Sequence, residues 1–61
     1  MTSTIQMRTY HYIKGLKYIY PSQIKDIYNL VCHDLQIDKT EDNLLIVTNT
    51  IEIYFNTLNN K

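Results

Sequence analysis

Apolar residues recur at helical spacing in the middle of the chain. After Pro21 they fall three or four positions apart, at Ile24, Ile27, Tyr28, Val31 and Leu35. Pro21 suits the first turn of a helix, because the amide hydrogen that proline lacks would have no partner there. The pattern predicts an amphipathic helix from about Pro21 to Leu35.

A second helical pattern fills the last third of the chain. Residues 38–41, Asp-Lys-Thr-Glu, are a helix-start signal. Acidic side chains there interact favourably with the positive end of the helix dipole. One face would hold Leu44, Val47, Ile51, Tyr54, Phe55 and Leu58. Ile46 and Ile53 lie nearly opposite, which suggests a second buried face. We predict a helix that ends near Asn59. The alternative is a β-hairpin, although residues 44–55 contain no Asn-Gly or Asp-Gly turn.

The N-terminal third combines two patterns. A first helical face would hold Ile5, Thr9, Tyr12 and Ile13. Gly15 follows where a helix often ends in the left-handed conformation, so we predict a short helix over 4–14. Residues 16–20, Leu-Lys-Tyr-Ile-Tyr, are β-branched and aromatic and precede a proline, which predicts a short strand. The same segment also suits a continued helix, because Leu16 and Ile19 keep the helical spacing.

The chain is short for a self-sufficient domain. It has 61 residues, and a domain of this size buries only about 60% of the surface that its unfolded chain exposes. Disulfides, metals or oligomerisation commonly supply the missing stability. Cys32 is the only cysteine and no Cys/His spacing matches a zinc site. We therefore expect a homodimer without metal or other cofactor.

Composition favours a cytoplasmic protein that is not an enzyme. No apolar run reaches the roughly 18 residues of a membrane span, and the N-terminus lacks the basic-then-apolar order of a secretory signal. A single thiol fits a reducing compartment. The sequence has no glycine-rich phosphate loop or serine elbow. Cys32 and His33 are adjacent, so on a helix their side chains point in different directions and cannot act as a facing catalytic or metal-binding pair.

Charge is balanced in total but uneven along the chain. Six basic and six acidic residues give a net charge of zero. The first 25 residues contain no acid, and their bases are Arg8, Lys14, Lys17 and Lys25. This asymmetry suggests an anionic partner, or a means of orienting two subunits.

Four of the six tyrosines lie among these bases, between positions 10 and 20. Such interleaving also occurs in proteins that bind single-stranded nucleic acid, unless Tyr18 and Tyr20 belong to the core.

The order of strand, proline, helix, short loop and helix resembles the ribbon-helix-helix family of DNA-binding proteins over about residues 16–58. Family members carry apolar residues after the proline at the positions that Ile24, Tyr28 and Val31 occupy. Residues 36–41, Gln-Ile-Asp-Lys-Thr-Glu, match the character of the family loop, which often reads Gly-Ile-Ser-Arg-Ser-Glu. The sequence departs from the family at Gln36, which replaces glycine, and at Ile19, which replaces a basic or polar residue.

The resemblance implies a mainly helical, intertwined homodimer whose strands pair into a ribbon that enters the DNA major groove. It divides the chain into an N-terminal extension, 1–15, and a ribbon-helix-helix-like domain, 16–61. The implied function is sequence-specific binding of duplex DNA by a small transcriptional regulator, a repressor.

The implied DNA contacts come from Lys17, Ile19, Lys39, Thr40, Arg8 and Lys14. Lys17 would donate to guanine and Ile19 would touch a thymine methyl. Lys39 and Thr40 would hold a phosphate at the start of the last helix, while Arg8 and Lys14 would follow the DNA backbone. The alternatives are that Lys17 is a solvated charge, that Ile19 is core and that Thr40 is a plain helix cap.

A three-helix all-α bundle is the competing fold. It would act as a protein-protein interaction module, an adaptor or inhibitor, and would dock through the Ile46/Ile53 face or the tyrosine-rich N-terminus. The zero net charge favours it, because DNA-binding domains are generally basic.

Overall fold

Three α-helices make up most of the chain. The computed structural model describes residues 2–60. The helices are α1 (Thr2–Ile13), α2 (Pro21–Leu35) and α3 (Glu41–Asn59). Residues 14–20 connect α1 to α2, and residues 36–40 connect α2 to α3. The fold is therefore the all-α bundle. The helices predicted over 4–14 and 21–35, and the end of the last helix predicted near Asn59, agree with the structure to within two residues.

The strand predicted at 16–20 is wrong. Among residues 2–60 no strand occurs, and this segment forms part of the connection between α1 and α2. Ile19 packs against the core, whereas Tyr18 and Tyr20 are 64% and 61% exposed. The inward side chain covers helices of its own chain, and no second segment lies alongside to accept a ladder of hydrogen bonds. The ribbon on which the intertwined dimer depended is therefore absent.

One wall of the core comes from α1. Ile5, Thr9 and Ile13 have no exposed surface, as the helical face predicted from the sequence requires. The hydroxyl of Thr9 donates to the Ile5 carbonyl at 2.8 Å. This bond within the helix gives the buried hydroxyl a partner, so Thr9 can lie among aliphatic side chains.

The end of α1 differs from the expected glycine cap. Gly15 does not have a positive φ. Instead, the amide of Lys14 donates to the Tyr10 carbonyl and that of Leu16 to the Ile13 carbonyl, both at 2.9 Å. The helix thus ends in a tightened turn that any residue can adopt.

The other two walls of the core come from α2 and α3. Their buried side chains are Ile27, Tyr28, Val31, Cys32, Val47 and Ile51. The two helices are joined where the hydroxyl of Tyr28 donates to the Thr40 carbonyl at 3.0 Å. Thr40 also caps α3, because its side chain accepts from the Asn43 amide at 3.2 Å. The helix-start signal before Glu41 is confirmed, and the hairpin alternative is wrong.

Gln36 ends α2 in the left-handed conformation, with φ 53° and ψ 48°. Its amide donates to the His33 carbonyl at 3.2 Å, and the Ile37 amide donates to the Cys32 carbonyl at 3.1 Å. This pair of bonds is the Schellman motif, whose left-handed residue is most often glycine. Gln36 therefore occupies a position at which glycine, which has no Cβ, is preferred.

We expect Gln36→Gly to raise the free energy of unfolding by about 1 kcal/mol. The left-handed conformation costs a residue with a Cβ about 1–2 kcal/mol, and the greater freedom of unfolded glycine offsets part of the gain. Urea unfolding at one fixed protein concentration measures the change. Gln36→Ala retains the Cβ and serves as the control without the gain; equal stabilisation by both variants would contradict the left-handed assignment.

Candidate functional site

The residues expected to contact DNA lie in separate parts of the bundle. Lys17 precedes α2 and Lys39 follows it, so the length of that helix, about 22 Å at 1.5 Å per residue, separates them. Lys14 is exposed just after α1, and Arg8 is half-buried within α1. One chain thus does not bring these cations together into a single basic surface, and their DNA contacts stay predictions.

Within the connection after α1, Lys17 and Ile19 do not share one surface. Lys17 is exposed, while Ile19 is half-buried and packs against the core. This is the arrangement of the alternative assignment, in which Lys17 is solvated and Ile19 belongs to the core. The side chain of Ile19 consequently packs within its own chain and does not point out towards a DNA base.

The start of α3 is arranged as a helix cap. Thr40 uses its hydroxyl to accept from Asn43 and its carbonyl to accept from Tyr28. The Asn43 side chain also donates to the Asp38 carbonyl at 2.7 Å. Acids surround the cap, namely Asp38, Glu41 and Asp42. Their negative charge already complements the helix dipole and opposes a phosphate at this end.

Arg8 borders a small cavity between α1 and α2. The cavity, about 320 Å³, is lined by Thr4, Met7, Arg8, His11 and Leu35. Nearby, the hydroxyl of Tyr12 donates to the Asp34 carboxylate. That hydrogen bond raises the pKa of Tyr12, and the charge of Arg8 acts in the opposite direction. Arg8 is therefore close enough to Tyr12 for its charge to act on that hydroxyl.

An open groove lies between α1 and α3. It has a volume of about 510 Å³ and is lined by Gln6, Tyr10, Thr50, Ile53, Tyr54, Thr57 and Leu58. None of these lining residues is acidic, basic, histidine or cysteine. Ile53 is 64% exposed and Tyr10 is 50% exposed. We refer to this surface as the α1–α3 groove.

Tyr54 holds the two walls of the α1–α3 groove together. Its ring meets that of Tyr10 edge to face at a centroid distance of 5.5 Å, and that of Phe55 at 5.0 Å. Its hydroxyl donates to the Lys14 carbonyl at 2.9 Å, just beyond the end of α1. Aromatic contacts of this geometry add to the stabilisation from burial. These contacts therefore fix the two walls of the groove relative to each other.

The second apolar face expected on α3 is only partly present. Ile46 is half-buried and packs against the core, whereas Ile53 stays exposed in the groove. Between them, the hydroxyl of Thr50 donates to the Ile46 carbonyl at 2.8 Å. Thr50 therefore requires no hydrogen bond from a molecule that fills the groove.

Sequence reasoning identified part of this surface. Ile53 was identified by its position away from the main stripe, and Tyr10 by the tyrosine-rich N-terminus. Gln6 and Thr57 carry no comparable signal, because polar residues at exposed helical positions are ordinary. Only the packing of α1 on α3 reveals that they share one groove.

Residues 2–60 offer neither a metal site nor a membrane-spanning helix. No group of three or more His, Cys, Asp or Glu side chains in that range is placed to hold a metal ion. No described helix combines the length and apolar character needed to cross a membrane.

No protein-family model matches the chain, and neither a curated protein nor a solved structure matches it significantly. The function is therefore inferred from the geometry described above.

Proposed function

We propose that this chain is a non-enzymatic helical interaction module of the cytoplasm that acts as a homodimer, in which each copy packs into the α1–α3 groove of the other. The observation that carries the proposal is an uncharged groove with a large aliphatic side chain, Ile53, 64% exposed within it. Burying such a side chain fully is worth about 1.5–3 kcal/mol.

The lining residues favour binding over catalysis. Acid-base and nucleophilic catalysis most often use His, Asp, Glu, Lys or Cys, and none of these lines the groove. Thr and Tyr hydroxyls can also serve, but they are activated by an adjacent base, which the lining lacks. Of the two lining tyrosines, Tyr54 already donates its hydroxyl to the Lys14 carbonyl. Thr50 is likewise bonded within its own helix. The groove offers apolar contact rather than reactive groups.

A second copy is the occupant that this surface fits best. In a two-fold dimer the same patch meets itself, so a charged patch would oppose like charges across the axis. The α1–α3 groove avoids that repulsion. It also contains both a projecting side chain, Ile53, and a cavity of about 510 Å³ beside it. Each Ile53 can therefore enter the cavity of the other copy.

This dimer differs from the intertwined one expected from the ribbon-helix-helix resemblance. The core already closes within one chain, since Ile5, Ile13, Val31 and Val47 are fully buried without a partner. The second copy would add stability to a complete but small domain. Duplex DNA remains the competing partner, and its binding would weaken steeply as salt rises.

Sedimentation equilibrium from micromolar to about 100 μM protein tests the proposal, and we expect a dimer. Ile53→Asp should weaken the dimer by at least about 100-fold, because an unpaired buried charge costs several kcal/mol. Leu45→Asp is the matched control, since Leu45 is 58% exposed on the same helix but does not line the groove. Circular dichroism verifies that both variants remain folded.

A folded wild-type monomer at 100 μM would overturn the homodimer. A dimer that resists Ile53→Asp, or that dissociates equally with Leu45→Asp, would show that the groove is not the interface. A chain that assembles only on duplex DNA, and releases it as salt rises, would favour the DNA-binding function instead.

A further inference from the structure

Two tyrosines in the connection between α1 and α2 form an exposed aromatic pair. Tyr18 and Tyr20 are 64% and 61% exposed. Their ring centroids lie 4.9 Å apart with the rings perpendicular. In an edge-to-face pair each ring keeps at least one face free. These residues are therefore not part of the core, which was the alternative assignment for them.

Local contacts hold the pair outward. Ile19 packs against the core, and side chains on either side of an inward residue in extended backbone point away from it. Tyr20 has extended backbone, with φ −80° and ψ 147°. Its amide donates to Gln23 Oε1 at 2.8 Å, while the Gln23 amide donates to the Tyr20 carbonyl at 2.9 Å. The end of the segment is thus anchored to α2.

Exposed cations flank the aromatic pair. Lys14 and Lys17 precede it and Lys25 follows it, and all three are exposed. The first acid in the sequence is Asp26, so no carboxylate lies between them along the chain. Their charges attract an anionic polymer, and that attraction is local although the net charge of the chain is zero.

We propose that residues 14–25 bind single-stranded nucleic acid. Bases stack on the free faces of Tyr18 and Tyr20, and Lys14, Lys17 and Lys25 neutralise the neighbouring phosphates. This combination of aromatic platforms and cations is how proteins bind single strands without reading their sequence. None of these residues lines the α1–α3 groove. Lys14 meets the groove residue Tyr54 through its main-chain carbonyl, which leaves the lysine side chain outside the proposed homodimer contact.

A single strand fits this segment better than a duplex or a membrane. Stacking requires the flat face of a base, which a duplex hides between neighbouring base pairs. An anionic bilayer would instead favour several aliphatic side chains that insert, whereas here Ile19 turns inward and Leu16 is 37% exposed. Among the large hydrophobic side chains that the segment exposes, Tyr18 and Tyr20, at 64% and 61%, are more exposed than Leu16.

Fluorescence anisotropy of a labelled oligothymidylate of about 12 nucleotides, within the usual site size, tests this site. We expect Tyr18→Ala with Tyr20→Ala to weaken binding by about 5- to 150-fold for each lost stack. Tyr18→Phe with Tyr20→Phe keeps both rings and should bind like wild type. Lys17→Ala should lower the slope of log affinity against log salt by about 0.7, the share of one phosphate.

The same titrations identify the outcomes that overturn the site. Absence of oligothymidylate binding at about 50 mM salt, where phosphate contacts are strong, would do so. Equal or tighter binding to a duplex of the same length would favour duplex DNA. Binding to phosphatidylserine vesicles without binding to the oligonucleotide would favour a membrane surface. Alanine variants that bind like wild type would remove Tyr18 and Tyr20 from the contact.

Discussion

Removal of residues 1–15 should leave the rest of the chain unfolded. This deletion takes away the whole of α1, including Ile5, Thr9 and Ile13, which have no exposed surface in the core. Truncating a single buried isoleucine to alanine costs about 2–5 kcal/mol. The core of a domain this small supplies only about 3–5 kcal/mol in all. Loss of a complete helix therefore exceeds the stability available.

Far-UV circular dichroism and amide NMR spectra of residues 16–61, compared with the full chain, measure the effect. Ile13→Ala in the full chain should destabilise it in the same direction. Met7→Ala is the matched control, because Met7 belongs to the same helix but is 72% exposed. A cooperative thermal transition of 16–61 alone would instead support the predicted boundary between an extension and a separate domain.

Cys32 should react with thiol reagents about 10²–10⁴ times more slowly in the native chain than in the unfolded one. The thiol is 2% exposed and contacts the Asp38 carbonyl, with the sulfur at 3.9 Å. A reagent reaches it only when the structure opens. A stability of about 3–5 kcal/mol makes the open state correspondingly rare. Labelling with a disulfide reagent, with and without denaturant, gives the ratio.

An exposed thiol provides the control for Cys32. Leu45→Cys combined with Cys32→Ala places a thiol at a position that is 58% exposed in the wild type, and it should react at nearly the unfolded rate. Labelling of native Cys32 as fast as this control would contradict its burial.

Burial raises the pKa of Cys32, so its native state favours the neutral thiol. The stability that this contributes is complete below the unfolded pKa of about 8.5 and falls as pH rises above it.

The two long helices were predictable because local signals and periodicity agreed. Pro21 begins α2 and Thr40 caps α3, and in each helix a regular apolar face meets the core. The strand at 16–20 failed for a physical reason. Its inward Ile19 and outward tyrosines do alternate as in a strand, but a strand also requires a neighbour to bond with. The alternation of side chains along one segment does not reveal whether a neighbouring strand is present.

The candidate sites depend on packing that the sequence does not express. The basic residues near the N-terminus suggested one anionic partner, yet Arg8 lies within α1 near Tyr12 while Lys14 and Lys17 lie after α1. Ile53 was identifiable as an apolar residue away from the main stripe. The groove around it exists only because Tyr10 meets Tyr54 across two helices that are distant in sequence.

The short connections at 14–20 and 36–40 bear on how fast the chain finds its fold. Each joins helices that pack directly on one another, so little loop entropy is lost before the contacts form. Helical bundles have low contact order and reach the native state in about microseconds to milliseconds. The packing of α1 on α3, which are distant in sequence, can follow once the neighbouring helices have met. Apolar surface is therefore exposed only briefly during folding, which limits the time available for misassembly between newly made chains.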